Sequence, residues 1–453
     1  RGDTIGVFQV ESAAQLQTIT RLKPRNLVDM AIEVALVRPG VGATHSTHAY
    51  LRRRAGREPV TYDHPLERRA LERTLGAIVF QDQVNQLAID VAGFTSAEAD
   101  QMRRAFGRRN SQGLIEAYWQ KFRAGAMAKG VPEEVAGKIF GKFNGQYMFP
   151  ESHAYAFGIT AYQAAWLKCH YPLEFYVSIF NQQPMGFYNL ETLKEDARRH
   201  EVVVLNPDIN ASREKCTIEK DCLRLGLLNV DVVGEVGARQ VVGEREERGL
   251  YRSIADVVQR TGLLREALEN LADAGAFDAL GPDRRAARWE IGLRYRPPNQ
   301  QLGLPLSVSQ DIPSLPGLTP WEKIVGEYRT LVLYPNGHLM AHLRQHLGED
   351  IIPSSTVSKM EDGARVKAAG LVVRRQRPYT ASGVVFLTLE DEFGHVPVVV
   401  WPKVYAEYRG VIKEPVLLVQ GLLSRRDGTM NVVAQRIEAI RAGFRTPQSK
   451  DWG

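Results

Sequence analysis

The chain has 453 residues, 44% of them apolar, with 58 Lys and Arg against 52 Asp and Glu, a net charge of +6 and a pI of about 9.1. That length suits about three domains with sizeable cores, and the mild basicity permits a nucleic-acid partner without demanding one. No apolar run reaches membrane-spanning length and no signal peptide is visible; Cys169, Cys216 and Cys222 are too sparse for a disulfide framework and suggest a reducing compartment. The chain starts at Arg1, mid-pattern, so it is expected to be a piece of something longer.

Residues 1–60 mix short apolar runs with basic points at Arg38 and Arg52–Arg54. Ile78–Ala92 follows as a helix whose amides Gln81, Gln83 and Gln86 are expected to form a wet face. Phe94–Asn110 is the stretch that organises the rest. Thr95 and Glu98 have capping-box spacing, Ala99, Met102, Ala105 and Phe106 follow at helical spacing, and Gly107 is a plausible stop. Arg103 and Arg104 then fall on the last turn, with Arg108 and Arg109 just past it. Guanidinium forks match phosphate oxygens, so this is a polyphosphate or nucleic-acid contact, or else a solvated helix end with Asp100 paired to Arg104. Spacing alone leaves both readings open.

Residues 112–143 carry two more helical patterns. Ser152 and His153 precede an apolar helix over Tyr155–Lys168; adjacent residues seldom form a nucleophile–base pair, so an N-cap is expected there. Residues 173–200 read as largely helical, with Asp196–His200 as a solvated face, and Val202–Leu205 as a strand. Cys216–Ile218 and Cys222–Leu225 suggest a hairpin; with no His nearby these cysteines make a poor metal site, and none is expected in the chain.

In Val233–Val242, Gly234 and Gly237 give the Gly-hydrophobic-Gly turn of a helix-hairpin-helix, which lets backbone approach a phosphate; a tight inter-helix turn is the other reading. Ile254–Val258, Leu263–Leu271 and Ala274–Leu280 continue a helical unit. From Arg296 to Pro320 six prolines mark a linker, and within it Gln301, Leu302, Leu304 and Leu306 suit an extended peptide that docks on a partner or packs back on its own domain. Val366–Val373, Val384–Glu390, Val396–Trp401, Val416–Leu423 and Met430–Ala434 are five short strands with a helix at Val404–Arg409 between the third and fourth, the layout of an OB-fold. Arg374, Arg375, Arg377 and Tyr379 in one loop, Trp401 and Phe386, and Arg425 and Arg426 in another suit single-stranded nucleic acid. The tail from Thr446 is expected to be disordered.

In this order the stretches resemble the bacterial C-family DNA polymerase, the alpha subunit of DNA polymerase III. The resemblance rests on Gly2–Ser12, Ala35–Gly40, Phe80–Val84, Ala99–Gly107, Ser152–Phe157, Trp166–Lys168 and His170–Pro172; Asn181–Tyr188, Leu389–Glu392 and Val400–Lys403 favour its error-prone branch. It covers nearly the whole chain.

The resemblance implies a multidomain α+β protein: fingers over 1–205, a tandem helix-hairpin-helix over 206–290, a linker with a helix over 291–345, an OB-fold over 346–445 and a tail. It implies that Arg103 and Arg104 hold an incoming nucleotide's triphosphate, that Arg108 and Arg109 contact DNA, that Gly234 and Gly237 contact a duplex backbone, and that Gln301–Leu306 binds a sliding clamp. Pro335–His338 is followed by Leu339 where the family carries proline, and no function is attached to it. Template-directed DNA synthesis in the cytoplasm, with primed DNA, deoxynucleoside triphosphates and damage-response proteins as partners, is the implied activity. Its Mg²⁺ would be held by palm aspartates, and no Asp-x-Asp on a strand replaces them here, so the chain alone is expected to be inactive. The alternative is a non-catalytic, clamp-tethered DNA-binding protein derived from such a polymerase.

Overall fold

The computed structural model describes residues 2–37, 44–106, 112–143, 149–186, 188–281, 283–296, 315–377, 382–426, 429–441 and 449–452. Arg108, Arg109, Tyr379 and Gln301–Leu306 lie outside these residues. The chain divides into two compact units, one formed by residues 1–166 with 427–429 and the other by the remainder. No helix among the described residues is long and apolar enough to cross a membrane.

The first unit is helical. It comprises α1 (Ala13–Leu22), α2 (Leu27–Leu36), α3 (Thr44–Arg54), α4 (Arg68–Leu71), α5 (Gln81–Ala92), α6 (Ser96–Phe106), α7 (Gln112–Ala128), α8 (Glu133–Gly141) and most of α9 (Glu151–His170). One of its cores gathers Leu87, Val91, Met102, Phe122, Ile139 and Phe143, all fully buried. An aromatic cluster closes that core: the Phe122 ring lies 5.3 Å from Phe140 and 5.6 Å from Phe143, and Phe106 at the end of α6 lies 5.4 Å from Phe140. Ring offsets of this size add to simple burial. α5 and α7 meet closely because Gly125 has no side chain; a Cβ there would stand 2.0 Å from the Ala92 carbonyl oxygen.

Two expectations for this unit are corrected. Gln83 is not on a wet face. It is 3% exposed, accepts from the Val79 and Phe80 N–H groups at 2.8 and 2.9 Å, and donates to the Ala70 carbonyl and the Thr74 hydroxyl at 2.9 and 2.7 Å. A buried amide with all its bonding capacity used stitches the entry of α5 to the preceding turn. Ser152 and His153 lie inside α9 rather than before it, and the His153 ring sits 4.3 Å from Phe157, so the pair is neither a cap nor a dyad.

The second unit continues with α10 (Pro172–Asn181) and α11 (Leu190–Arg199). A small sheet follows, in which β1 (Val203–Leu205) runs parallel and β2 (Thr217–Glu219) antiparallel to β3 (Cys222–Arg224). Next come α12 (Gly234–Arg248), α13 (Ile254–Thr261), α14 (Arg265–Asp273) and α15 (Arg284–Arg294). The helix expected over Ala274–Leu280 is instead a turn around Gly275, at φ +86°, followed by a short 3-10 segment; backbone in that region suits glycine. Then come α16 (Pro320–Leu331), α17 (Leu339–Arg344) and α18 (Ser354–Val357).

The solvated face expected at Asp196–His200 is corrected in part: Arg198 and Arg199 are exposed, but Asp196 and Ala197 are buried. Every residue of α11 from Glu191 to Ala197 is buried. Asp196 survives burial because Lys168 Nζ stands 2.7 Å from its Oδ2 and the Tyr176 hydroxyl donates to the same atom at 2.7 Å. Helical period cannot distinguish a charged face in water from one buried against charged partners.

The barrel uses β4 (Arg365–Gln376), β5 (Val385–Glu390), β6 (His395–Val400), β7 (Val416–Arg426) and β8 (Thr429–Ala439), with α19 (Pro402–Tyr408) between β6 and β7. Strand order is β5-β6-β8-β7-β4, and β4 pairs with β5 to close the ring. β4 serves two neighbours in turn, pairing with β7 as far as Leu371 and with β5 from Leu371 onward, with a register shift between Val372 and Arg374. This is the five-stranded OB-fold read from the sequence. The tail differs from expectation: β9 (Lys450–Trp452) pairs in parallel with β4 at Arg374–Gln376.

Candidate nucleotide and nucleic-acid sites

The start of α6 is fixed before any ligand arrives. The Thr95 N–H donates to Glu98 Oε2 at 3.0 Å and the Glu98 N–H to the Thr95 hydroxyl at 3.3 Å, the reciprocal capping box. Lys121 of α7 hydrogen-bonds Glu98 and, with the cap, holds that carboxyl below the usual range. Ala99, Met102 and Ala105 turn into the core, so the intervening positions 100, 103 and 104 face outward.

Asp100 stands between the two arginines. Arg103 Nη2 lies 2.6 Å from its Oδ1 and Arg104 Nε 2.8 Å from its Oδ2. The Arg103 hydrogen bond is the main reason the carboxyl is held below its ordinary value. The two guanidiniums are not equivalent. The Arg103 side chain is 24% exposed and also donates from Nη1 to Gln81 Oε1 at 3.1 Å, whereas Arg104 is 66% exposed. Arg103 is therefore aimed by α5, and Arg104 is loosely held. Asp100 was legible as a partner of Arg104; its hold on Arg103 and the role of Gln81 were not.

A divalent cation does not fit this place. Its nearest described carboxylates are already engaged, Asp100 by two guanidiniums and Glu98 by an ammonium. The donor set favours an anion.

At the helix-hairpin-helix the two glycines do different jobs. Gly234 opens α12 at φ +62°, and a Cβ placed on it would meet nothing within 4 Å, so its backbone is approachable. At Gly237 a Cβ would stand 2.9 Å from Leu263 Cδ2, so its smallness lets the hairpin pack. Val236 between them is 79% exposed.

The basic residues of the barrel separate into two places. Arg377 lies over the Tyr405 ring of α19 at 4.7 Å, and Trp401, 53% exposed, starts the same helix. Arg375 donates to the Ser449 hydroxyl at 3.0 Å, and Arg374 is half-buried beside it. Arg425 and Arg426 sit at the far end of β4, because β7 pairs there at Arg365↔Leu422. Roughly 30 Å of strand separates the two ends. Arg425 is also committed internally: its N–H donates to Asp362 at 2.7 Å and its Nε to the Met360 carbonyl at 2.7 Å. The structure thus joins Arg377 to Trp401 through Tyr405, which the sequence did not single out, while the exposed Arg425 also ties its loop to Met360 and Asp362.

Comparison with known proteins agrees with this layout. Residues 1–130 match the bacterial DNA polymerase III alpha subunit finger domain, 201–287 a helix-hairpin-helix motif, and 366–440 an OB-fold nucleic acid binding domain. Proteins named error-prone DNA polymerase from Nocardia farcinica and Corynebacterium diphtheriae are each 41% identical, over 98% and 97% of this chain and 40% and 42% of their own lengths. One of the same name from Mycobacterium tuberculosis is 41% identical over 96% of this chain and 40% of its own length. The chain thus spans about two fifths of the curated relatives it matches. With finger, helix-hairpin-helix and OB-fold segments in this order, the chain belongs to the bacterial DNA polymerase III alpha-subunit family, in its error-prone branch.

Proposed function

We propose that this chain is the nucleotide- and DNA-holding portion of a template-directed, error-prone DNA polymerase acting in the cytoplasm. The observation that carries the reading is the Arg103–Arg104 pair at the end of α6, inside the segment that matches the finger domain. Two adjacent guanidiniums, one aimed by Gln81 and one loosely held, suit a triphosphate, whose charge exceeds that of any single carboxylate.

In the intact polymerase the primer 3′-hydroxyl attacks the α-phosphate in line, and pyrophosphate leaves. Arg103 and Arg104 neutralise the triphosphate and orient it. Gly234 offers backbone to the duplex, and Trp401, Tyr405 and Arg377 supply rings and charge for unpaired template. The reaction's Mg²⁺ supplies charge neutralisation at the phosphates when bound; the residues around Arg103 do not fit it, and no step runs through it at this place. The Gln301–Leu306 peptide is the proposed contact for a sliding clamp.

The test is binding and extension of a fluorescent primed template by this chain. The expected result is salt-dependent DNA binding with no extension on adding Mg²⁺ and all four nucleotides. Absence of DNA binding overturns the reading; extension overturns the assignment of the chemistry to carboxylates outside this chain.

A further inference from the structure

Given Arg103 and Arg104 as triphosphate ligands, the reading on which this rests, we propose that Asp100 is a positioning residue that acts as a displaceable counter-ion. It holds both guanidiniums when no nucleotide is bound, yields them to the incoming triphosphate, and recaptures them as pyrophosphate leaves.

Three observations carry it. First, Asp100 uses both oxygens, one on each arginine, so it occupies the same donor faces that phosphate oxygens need. A polyphosphate that bonds through those N–H groups has to displace Asp100 from them. Second, the arginines are built to separate from it unequally. Arg104 is 66% exposed and has Asp100 as its ion-pair partner among the described residues, so it swings away at little cost, as exposed pairs are weak. Arg103 keeps its bond to Gln81 Oε1 at 3.1 Å when Asp100 lets go, so it stays aimed. Third, the charge balance favours an anion even with Asp100 in place. Two cations with one acid leave a net positive site of about one charge, enough to attract a polyphosphate from a distance while Asp100 keeps the guanidiniums ordered.

A counter-ion that must be displaced weakens every anion that takes its place, product as well as substrate. Its presence therefore favours release of pyrophosphate. A residue that merely braced the arginines would do the reverse, because removing it would let them wander and anions would bind less well. The sign of the effect separates the two.

The experiment measures binding of inorganic tripolyphosphate and pyrophosphate to the full 453-residue chain by calorimetry at low salt. The proteins compared are wild type, Asp100→Asn, Asp100→Ser and Asp100→Glu. The expected result is that Asn and Ser tighten both anions about two- to fivefold, the factor that loss of an exposed ion pair represents, and that Glu restores the wild-type value. Glu98→Gln, which removes a charge from the same helix but keeps the capping box, is expected to change binding by less. Weaker or unchanged binding in both Asp100→Asn and Asp100→Ser, or an equal gain in Glu98→Gln, overturns the proposal. Arg103→Ala and Arg104→Ala separate it from its parent: if neither lowers tripolyphosphate binding, the nucleotide reading itself fails. If both lower it and the Asp100 variants do not tighten it, only the counter-ion falls.

Discussion

Arg199 of α11 reaches the fully buried Glu390 of β5 in a part-buried ion pair, with Nη2 3.0 Å from Oε1 across 191 residues of sequence. The Thr192 hydroxyl donates to the other oxygen at 2.9 Å, and His395 Nε2 lies 3.0 Å from Oε1. Beside them Lys194, 1% exposed, hydrogen-bonds Glu191, Glu195 and the Gly337 carbonyl, and the Tyr328 hydroxyl donates to Glu191 at 2.7 Å. α11 thus joins α16, the turn before α17 and the barrel through charged side chains.

Removing one charge from such a cluster leaves the others buried and uncompensated. Lys194→Met is expected to destabilise the protein by about 3–5 kcal/mol. Adding Glu191→Gln and Glu195→Gln to it should recover part of that loss. Denaturant unfolding of the single and triple variants checks this; equal stability of wild type and Lys194→Met contradicts it.

His338 gives the cluster a pH dependence. Its Nδ1 accepts from the Met340 N–H at 3.0 Å, and burial, together with the facing cations Lys194, Arg199 and Arg198, pulls its pKa down to about 3 despite the opposing Glu390 carboxylate. An unfolded His titrates near pH ~6.5. The native state therefore binds the proton later than the unfolded state does, and stability is lost as pH falls from about 6.5 toward 3. Glu191 works in the opposite sense. Burial, with Glu195 nearby, pushes it up to about 7 against Lys194, the Tyr334 N–H and the Tyr328 hydroxyl, so its penalty grows as pH rises from about 4.3 to 7. His338→Gln, which can keep the cap, should flatten the fall in Tm between pH ~6.5 and ~4. Parallel curves for wild type and variant would remove His338 from the account.

Gly125→Ala tests the close approach of α5 and α7. A Cβ 2.0 Å from the Ala92 carbonyl oxygen forces the helices apart. Overpacking of this kind costs roughly 1–3 kcal/mol, and backbone on the far side of the clash puts the value at the upper end. Thermal unfolding reads it out, with Gly113→Ala, which meets nothing within 4 Å, as the comparison.

In the barrel, Trp401→Ala is expected to weaken binding of single-stranded DNA by about 1–3 kcal/mol with little change in Tm, because the ring is exposed. Arg425→Ala should do the opposite, lowering Tm through the lost bonds to the Met360 and Ser358 carbonyls while DNA affinity changes little. Fluorescence anisotropy beside unfolding curves separates the two effects.

Much of this was legible in the sequence for physical reasons. The barrel strands and the helix between them follow from β-branched runs and turn residues, and the capping box at Thr95 and Glu98 from spacing alone. What was not legible depended on tertiary partners. Gln83 and Asp196 carry side chains that water or a partner can satisfy equally well, and only the fold supplies Thr74 and Lys168. Gln81 lies 22 positions before Arg103, and Tyr405 lies 28 after Arg377; no local period joins such pairs. Arg425 and Arg377 look alike in sequence and sit at opposite ends of β4.

The nucleotide role of the α6 arginines is the centre of the account. The most direct test is steady-state primer extension by the intact polymerase carrying Arg103→Ala or Arg104→Ala, with nucleotide KM and primed-DNA Kd measured on the same preparations. Loss of a charge-assisted hydrogen bond to phosphate should raise KM about tenfold or more, with DNA Kd unchanged within about twofold. An unchanged KM in both variants would contradict the account.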